Sequence, residues 1–234
     1  MSDTTERFLQ TELSKIEADP ELLLQKLHTR FEPWRDLVNN YQCAVMEVET
    51  KFKVLNTRLS MQGERNPIES IKSRIKQPDS ILKKIEKLGL PMAMESVENN
   101  IFDVAGVRVI CSFVDDIYVI ERLFLAQEDI ELINRKDYIE SPKPSGYRSL
   151  HLVIRTPIYT ESGKKNMFVE VQVRTIAMDF WASLEHKLRY KKNINPDLME
   201  ELSEELQFCA EESARMDLRM QAVRKKLDNA ALLE

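Results

Sequence analysis

Glu170, Gln172 and Arg174 alternate with Val169, Val171 and Val173 in one short stretch. Alternation with period two marks a strand with one dry and one wet face. A carboxylate, an amide and a guanidinium therefore share the wet one. A carboxylate in a Val-rich strand is costly to bury unless it is paired or binds a metal. Glu170 is accordingly either the partner of a nearby Lys or Arg, or a metal ligand. Upstream, Leu150, Leu152 and Ile154 fall on one face, and Tyr147, Ser149, His151 and Val153 on the other. Tyr147 follows Gly146, which lets the backbone approach a ligand closely and leaves the ring to stack on a base or to pack. His151 can bond a phosphate or sit as a satisfied core histidine. Together these side chains describe a ligand cleft rather than a core.

Two more clusters carry charge. The segment Ile71-Lys72-Ser73-Arg74-Ile75-Lys76, read as a strand, puts Lys72, Arg74 and Lys76 on one face. A helix opening at Pro78 brings its free amides and the Ser80 hydroxyl near those cations, with Lys83 and Lys84 following. That arrangement suits a polyphosphate, and equally describes a solvated basic surface. It is not a Walker A loop, because no G-x-x-x-x-G-K-[ST] occurs. In Asp103-Val104-Ala105-Gly106-Val107-Arg108, an acid precedes an apolar strand, where it can hold a metal beside a phosphate or serve as a turn residue. Asp103 and Glu170 together offer the hard oxygen ligands that Mg²⁺ prefers alongside phosphates. With the cations and a Tyr, they point to nucleotide phosphoryl chemistry.

Elements able to position these groups are legible around them. Residues 5–61 read as helical, broken near Pro20 and Pro33, with Trp34, Leu37, Tyr41, Ala44, Val48, Phe52, Leu55 and Leu59 on a 3-4 repeat. Residues 78–87, closed by Gly89, form a short helix; 107–113 read as a strand and 115–127 as a helix. From Thr175 the chain is helical again, with Trp181 in the core. Leu202, Leu206, Cys209, Met216, Met220, Val223 and Leu227 follow a heptad seam that packs on the chain's own domain or on a second subunit. The predicted fold is α/β, a mixed sheet flanked by N- and C-terminal helices. Its parts are a helical region (1–62), a core (63–192) and a C-terminal helix for oligomerisation (193–234). The 234 residues carry a net charge of −5, which gives no global pull towards nucleic acid or anionic membrane. No apolar run reaches the ~20 residues of a membrane span, and no signal-peptide core is present, so a cytoplasmic protein is expected. The three cysteines, two at apolar-face positions, read as buried thiols rather than disulfides or zinc ligands.

These pieces, in this order, resemble the RelA/SpoT synthetase domain, and in particular the stand-alone small alarmone synthetases. The resemblance rests on Ser73-Arg74-Ile75-Lys76 with Ser80 and Lys84, Asp103-x-Ala105-Gly106-x-Arg108 and Lys136-Asp137-Tyr138-Ile139. It continues through Pro142-Lys143-x-x-Gly146-Tyr147-Arg148-Ser149-Leu150-His151, Glu170-x-Gln172-x-Arg174-Thr175 and Trp181-x-x-x-Glu185-His186-Lys187-x-x-Tyr190-Lys191. It covers residues 66–192, and the stretch 115–138 looks closest to the RelP-type subgroup. Such enzymes transfer the β,γ-pyrophosphate of ATP to the 3′-hydroxyl of GDP or GTP, giving AMP and (p)ppGpp in the stringent response. The resemblance implies an adenine sandwiched by Arg74 and Arg108, and ATP phosphates held by Lys76, Ser80 and Lys84. It further implies Mg²⁺ on Asp103 and Glu170, with Glu170 also drawing the 3′-hydroxyl proton. Tyr147 would stack on guanine, Lys143 and His151 would hold the acceptor's phosphates, and Gln172 is a further candidate ligand. A homo-oligomer, by resemblance a tetramer, is implied as well.

Two departures from the family pattern shape the expectation. Ser145 stands where the long bifunctional enzymes often have Asn. None of His28, His151 and His186 is followed by Asp, so no hydrolase motif is present, and activity without a ribosome-sensing region is expected. The alternatives are a nucleotidyltransferase that moves AMP, and a catalytically silent regulator that binds nucleotide or RNA.

Overall fold

The computed structural model describes the backbone of residues 20–61, 66–189 and 196–231, and side chains over 32–61, 66–188 and 201–230. Helix α1 (Pro20–Met61) leads into β1 (Ile68–Ile75), α2 (Pro78–Leu88), α3 (Met94–Asn100), β2 (Ala105–Cys111) and α4 (Val114–Leu125). Then come β3 (Glu131–Asp137), β4 (Leu150–Thr160), β5 (Gly163–Thr175), α5 (Ile176–Arg189) and α6 (Pro196–Ala231). The chain divides into two units, Met1–Asn40 and Tyr41–Glu234.

In the first unit, the expected break at Pro33 does not occur: the proline lies inside α1. Proline removes one backbone hydrogen bond and crowds the preceding turn. Pro33 is exposed, so water can meet the carbonyl that loses its donor. Residues 5–19, also read as helical, lie outside the described residues.

The second unit holds the sheet, ordered β1-β2-β5-β4-β3. Only β2 and β5 pair in parallel; the other neighbours are antiparallel. β4 and β5 form a hairpin closed at Gly163, whose φ of 106° suits glycine. The mixed α/β architecture is the one expected. Val107, Val109, Leu150, Leu152, Ile154, Val169, Val171 and Val173 are at most 1% exposed and make the dry faces. Helix α4 contacts β2 and β5 and buries Ile117, Ile120 and Phe124. Phe52 of α1 stacks on Phe124 with ring centroids 4.3 Å apart. Each such side chain, fully buried, contributes about 1.5–3 kcal/mol of hydrophobic stabilisation.

One other expectation, that all three cysteines are buried, is corrected. The seam on α6, open to the chain's own domain or to a second subunit, is turned away from the chain's own core: Leu202, Met216, Met220, Val223 and Leu227 are exposed, and so is Cys209. Ala210 and Asp217 are the buried positions of that helix, with Leu206, Ser213 and Ala214 half-buried. Small side chains allow a closer approach than the larger seam residues would. Of the three cysteines only Cys111 is buried; Cys43 and Cys209, on helices, point outward.

Candidate active site

Strand register converts the sequence motifs into two rows across the sheet. Lys72 lies opposite Arg108, Arg108 opposite Gln172, Gln172 opposite His151, and His151 opposite Lys136. In the adjacent row, Arg74 lies opposite Gly106, Gly106 opposite Glu170, and Glu170 opposite Val153. Side chains two residues apart share a face, so these rows stand on the same wet side of the sheet. Lys72, Arg74, Asp103, Gly106, Arg108, Glu170 and Gln172 line one open cleft. Gly106 keeps the floor low beneath Arg74, whose Cγ would lie 3.7 Å from a Cβ placed there.

At the β1 edge, the backbone N–H of Lys76 donates to the Val104 carbonyl at 2.8 Å, tying the strand end to the turn that carries Asp103. The Lys76 and Lys84 ammonium groups then donate to the two Asp103 carboxylate oxygens, at 2.8 and 2.7 Å. Burial pushes the Asp103 carboxyl up, but the hydrogen bonds and charges of the two lysines outweigh it and leave it below the usual carboxylate range. Ser80 lies exposed in the first turn of α2. The N-cap of that helix, Gln77, makes no side-chain capping bond, which leaves amide donors at this end to water or an anion.

Further along the sheet, the groups close into a chain of hydrogen bonds. Arg174 donates to the Tyr147 hydroxyl at 2.6 Å and to the Gln172 Oε1 at 2.8 Å. The Tyr147 hydroxyl lies 2.7 Å from His151 Nε2, and His151 Nδ1 lies 3.3 Å from Glu170 Oε1. Gln172 Nε2 donates to Glu170 Oε2 at 2.8 Å. Because the Tyr147 oxygen already accepts from Arg174, its own proton is free for Nε2. This network assigns the His151 proton to Nδ1, facing Glu170. Burial raises the Glu170 carboxyl; the hydrogen bonds of His151 and Gln172 bring it below the usual range. Glu170 is thus an ionised carboxylate.

The loop before β4 places Tyr147. Gly146, with φ of 85°, closes a tight turn by donating to the Lys143 carbonyl at 2.8 Å, and Lys143 donates to the Tyr147 carbonyl at 3.2 Å. The Lys143 ammonium lies 4.6 Å from the Tyr138 ring centroid and 4.8 Å from that of Tyr147. The structure therefore brings Lys143, Tyr147, His151 and Gln172 into one group around Glu170. Arg74, Arg108 and Asp103 share the cleft with Glu170 and Gln172. Lys76 and Lys84 join through Asp103, while Ser80 stands apart from these contacts.

Asp179 was not found from sequence. In the first turn of α5, its Oδ1 accepts from Arg108 at 3.1 Å and Arg174 at 3.3 Å, and its Oδ2 lies 3.6 Å from Lys72. Burial lowers the Arg174 guanidinium, and the charge of Arg108 adds to that; Asp179 offsets the repulsion. An acid in a first helical turn ordinarily reads as a dipole partner, so sequence offered no distinguishing signal. Tyr138 is the other addition, edge-on to His151 at 5.2 Å between centroids. Tyr190 and Lys191 of the last motif lie outside the described residues.

The Asp103 and Glu170 carboxylates both open onto the cleft. Among the described residues no group of three or more His, Cys, Asp or Glu could hold a metal unaided.

Residues 73–195 match the region found in RelA / SpoT proteins. GTP pyrophosphokinase YwaC of Bacillus subtilis is 40% identical over 205 residues, covering 88% of this chain and 97% of that one. GTP pyrophosphokinase YjbM of the same organism is 37% identical over 198 residues, covering 84% of this chain and 91% of that protein. Among solved structures, small alarmone synthetase 1 from Bacillus subtilis bound to its product pppGpp superposes with a TM-score of 0.76 at 37% identity. It covers 83% of this chain and 98% of its own. The sheet rows, the paired acids and these matches lead to one assignment: the chain belongs to the RelA/SpoT family, beside the small alarmone synthetases.

Proposed function

We propose that the chain is a GTP pyrophosphokinase, transferring the β,γ-pyrophosphate of ATP to the 3′-hydroxyl of GDP or GTP to make (p)ppGpp and AMP. The observation that carries this reading is the placement of Glu170 on a cation-lined cleft, joined through His151 to Tyr147. Similarity over most of the length of two GTP pyrophosphokinases, at 40% and 37% identity, supports it. Arg74 and Arg108, in adjacent rows, are placed to hold the adenine. Lys76 and Lys84 exchange Asp103 for the ATP phosphates, with Ser80 and the free end of α2 beside them. Tyr147 stacks on guanine, and Lys143 and His151 take the acceptor's phosphates, with Gln172 fixing the orientation of Glu170. The 3′-oxygen forms a bond to the β-phosphorus as the bond from that phosphorus to the oxygen of AMP breaks. The hydroxyl proton passes to Glu170, and AMP leaves. Asp103 and Glu170 would hold Mg²⁺, which would neutralise charge on the moving group. Otherwise the protein mainly orients the two nucleotides and stabilises charge, the usual means of phosphoryl transfer.

Exposed Met216, Met220, Val223 and Leu227 on α6, and Phe180 and Leu184 on α5, support assembly into a homo-oligomer, a tetramer by resemblance. Sedimentation as a monomer at micromolar concentration would remove that part. No described helix is long and apolar enough to cross a membrane, in keeping with a cytoplasmic enzyme. The test of activity is incubation with Mg²⁺, GDP and ATP labelled on the γ-phosphate. Label entering a guanosine tetraphosphate, with AMP appearing in equal amount, is expected. No transfer to GDP, GTP or GMP would overturn the reading.

A further inference from the structure

Helix α6 lies beyond residues 73–195, yet the Tyr147 loop rests on it. A Cβ added to Gly146 would lie 2.5 Å from the Ala210 Cβ and 3.6 Å from the Gln207 Cα, so the loop backbone meets the helix with no side chain between. The Trp181 indole donates to the Leu206 carbonyl at 2.8 Å, fixing α5 to α6. Trp181, Ala182 and Ala210 form a buried cluster on which Tyr147 itself packs. Two turns further on, the Asp217 carboxylate, 9% exposed, accepts a hydrogen bond from the Thr175 hydroxyl. Thr175 follows Arg174, the donor to the Tyr147 hydroxyl. Asp217 also faces the charge of Arg148, the residue after Tyr147, across a narrow crevice they both line. Arg148 in turn donates to the Ile139 carbonyl at 3.3 Å. Both ends of the Tyr147 setting, the loop backbone and the Arg174 strand end, are therefore held by α6.

We propose that Ala210 and Asp217 are positioning residues for the guanine-nucleotide acceptor, setting the height and orientation of Tyr147 from a helix outside the family-matched region. The inference rests on the reading that Tyr147 contacts guanine. It explains why the small and polar line of α6 is turned inward: any branched side chain at position 210 would enter the backbone of Gly146. A displaced Tyr147 loses acceptor contacts, while the ATP side, on β1 and β2, stays in place.

The experiment is initial-rate kinetics of the full chain over separate GDP and ATP series, with folding checked by circular dichroism. Ala210→Val is expected to raise the KM for GDP about tenfold and leave that for ATP within about twofold. Ala210→Gly, which shrinks the contact, should relieve that increase. Asp217→Asn, of nearly the same shape, should raise the KM for GDP about threefold. Equal losses on both substrates, or an unchanged KM for GDP in both Ala210→Val and Asp217→Asn, would overturn the proposal. If Ala210→Val does not fold, Asp217→Asn decides. Tyr147→Ala run alongside separates the two layers. An unchanged KM for GDP there would remove the guanine reading and this inference with it. A raised KM there, with normal values in the α6 variants, would remove the inference alone.

Discussion

The two halves of the cleft solve the same problem, burying charge beside a ligand, in opposite ways. On the side proposed for ATP, Asp103 is held by Lys76 and Lys84, whose side chains remain 20% and 34% exposed on flexible stems. Such cations can leave one anion for another. On the side proposed for guanine, the side chain of Arg174 is 5% exposed and bonded to Tyr147, Gln172 and Asp179. Its planar fork of donors suits a fixed network. The β1 half is thus built to exchange partners, and the Tyr147 half to hold shape. Asp179, bonded to Arg108 and Arg174, is where the two meet.

The sharpest way to break this comparison is at Glu170, which serves both halves. Glu170→Gln should lower kcat by roughly 10²–10⁴, the usual range for a general base, with ATP binding nearly intact. Turnover at the wild-type rate in the transfer assay would show that the base lies elsewhere. Asp103→Asn comes next: turnover should fall about 100-fold, and the Mg²⁺ concentration for half-maximal rate should rise. An unchanged Mg²⁺ titration would mean that the lysines never release the acid. Tyr147→Ala should raise the KM for GDP about tenfold and spare that for ATP, given the ~1–3 kcal/mol of base–aromatic stacking. An unchanged value would return the ring to a packing role. Asp179→Asn should raise both KM values by about threefold, since like charges on Arg108 and Arg174 would then repel. An effect on one substrate only would show that the halves are independent.

The smallest effect is on stability. Asp103 and Glu170 hold protons less tightly folded than unfolded, so both contribute stability above the ordinary carboxylate range. It is lost as pH falls through their lowered values. Asp217 has the opposite sign. Burial raises its carboxyl, against the Thr175 hydrogen bond and the charge of Arg148. The folded state there binds more protons, and stability declines as pH rises from the ordinary carboxylate range through the raised value. Thermal melts across that range should show a flatter decline for Asp217→Asn than for wild type. Identical curves would mean that Asp217 is not strained by its burial.

Much of the site was legible beforehand because its parts sit at strand and helix periods. Glu170, Gln172 and Arg174 share a face by backbone geometry alone, and Pro78 with Gly89 bounds α2 because of what each residue allows the backbone to do. Asp179 and Asp217 gave no such signal. Each is an ordinary helical acid until a neighbouring strand supplies its partners. The seam on α6 left its partner open for a related reason. Apolar spacing tells that a stripe exists, but not which side of the helix a glycine-floored loop can approach.

The amino-acid order by itself determined which residue types alternate on each strand, where helices open and close, and which family the motifs belong to. Only the tertiary structure decided that Lys72, Arg108, Gln172 and His151 stand in one row, from four strands spread over residues 68–175. It also decided that α6 turns Ala210 and Asp217 inward. Periodicity follows from the geometry of a few neighbouring peptide units. Register and helix orientation follow from packing between segments distant in the chain, where shape, not local pattern, selects the partner.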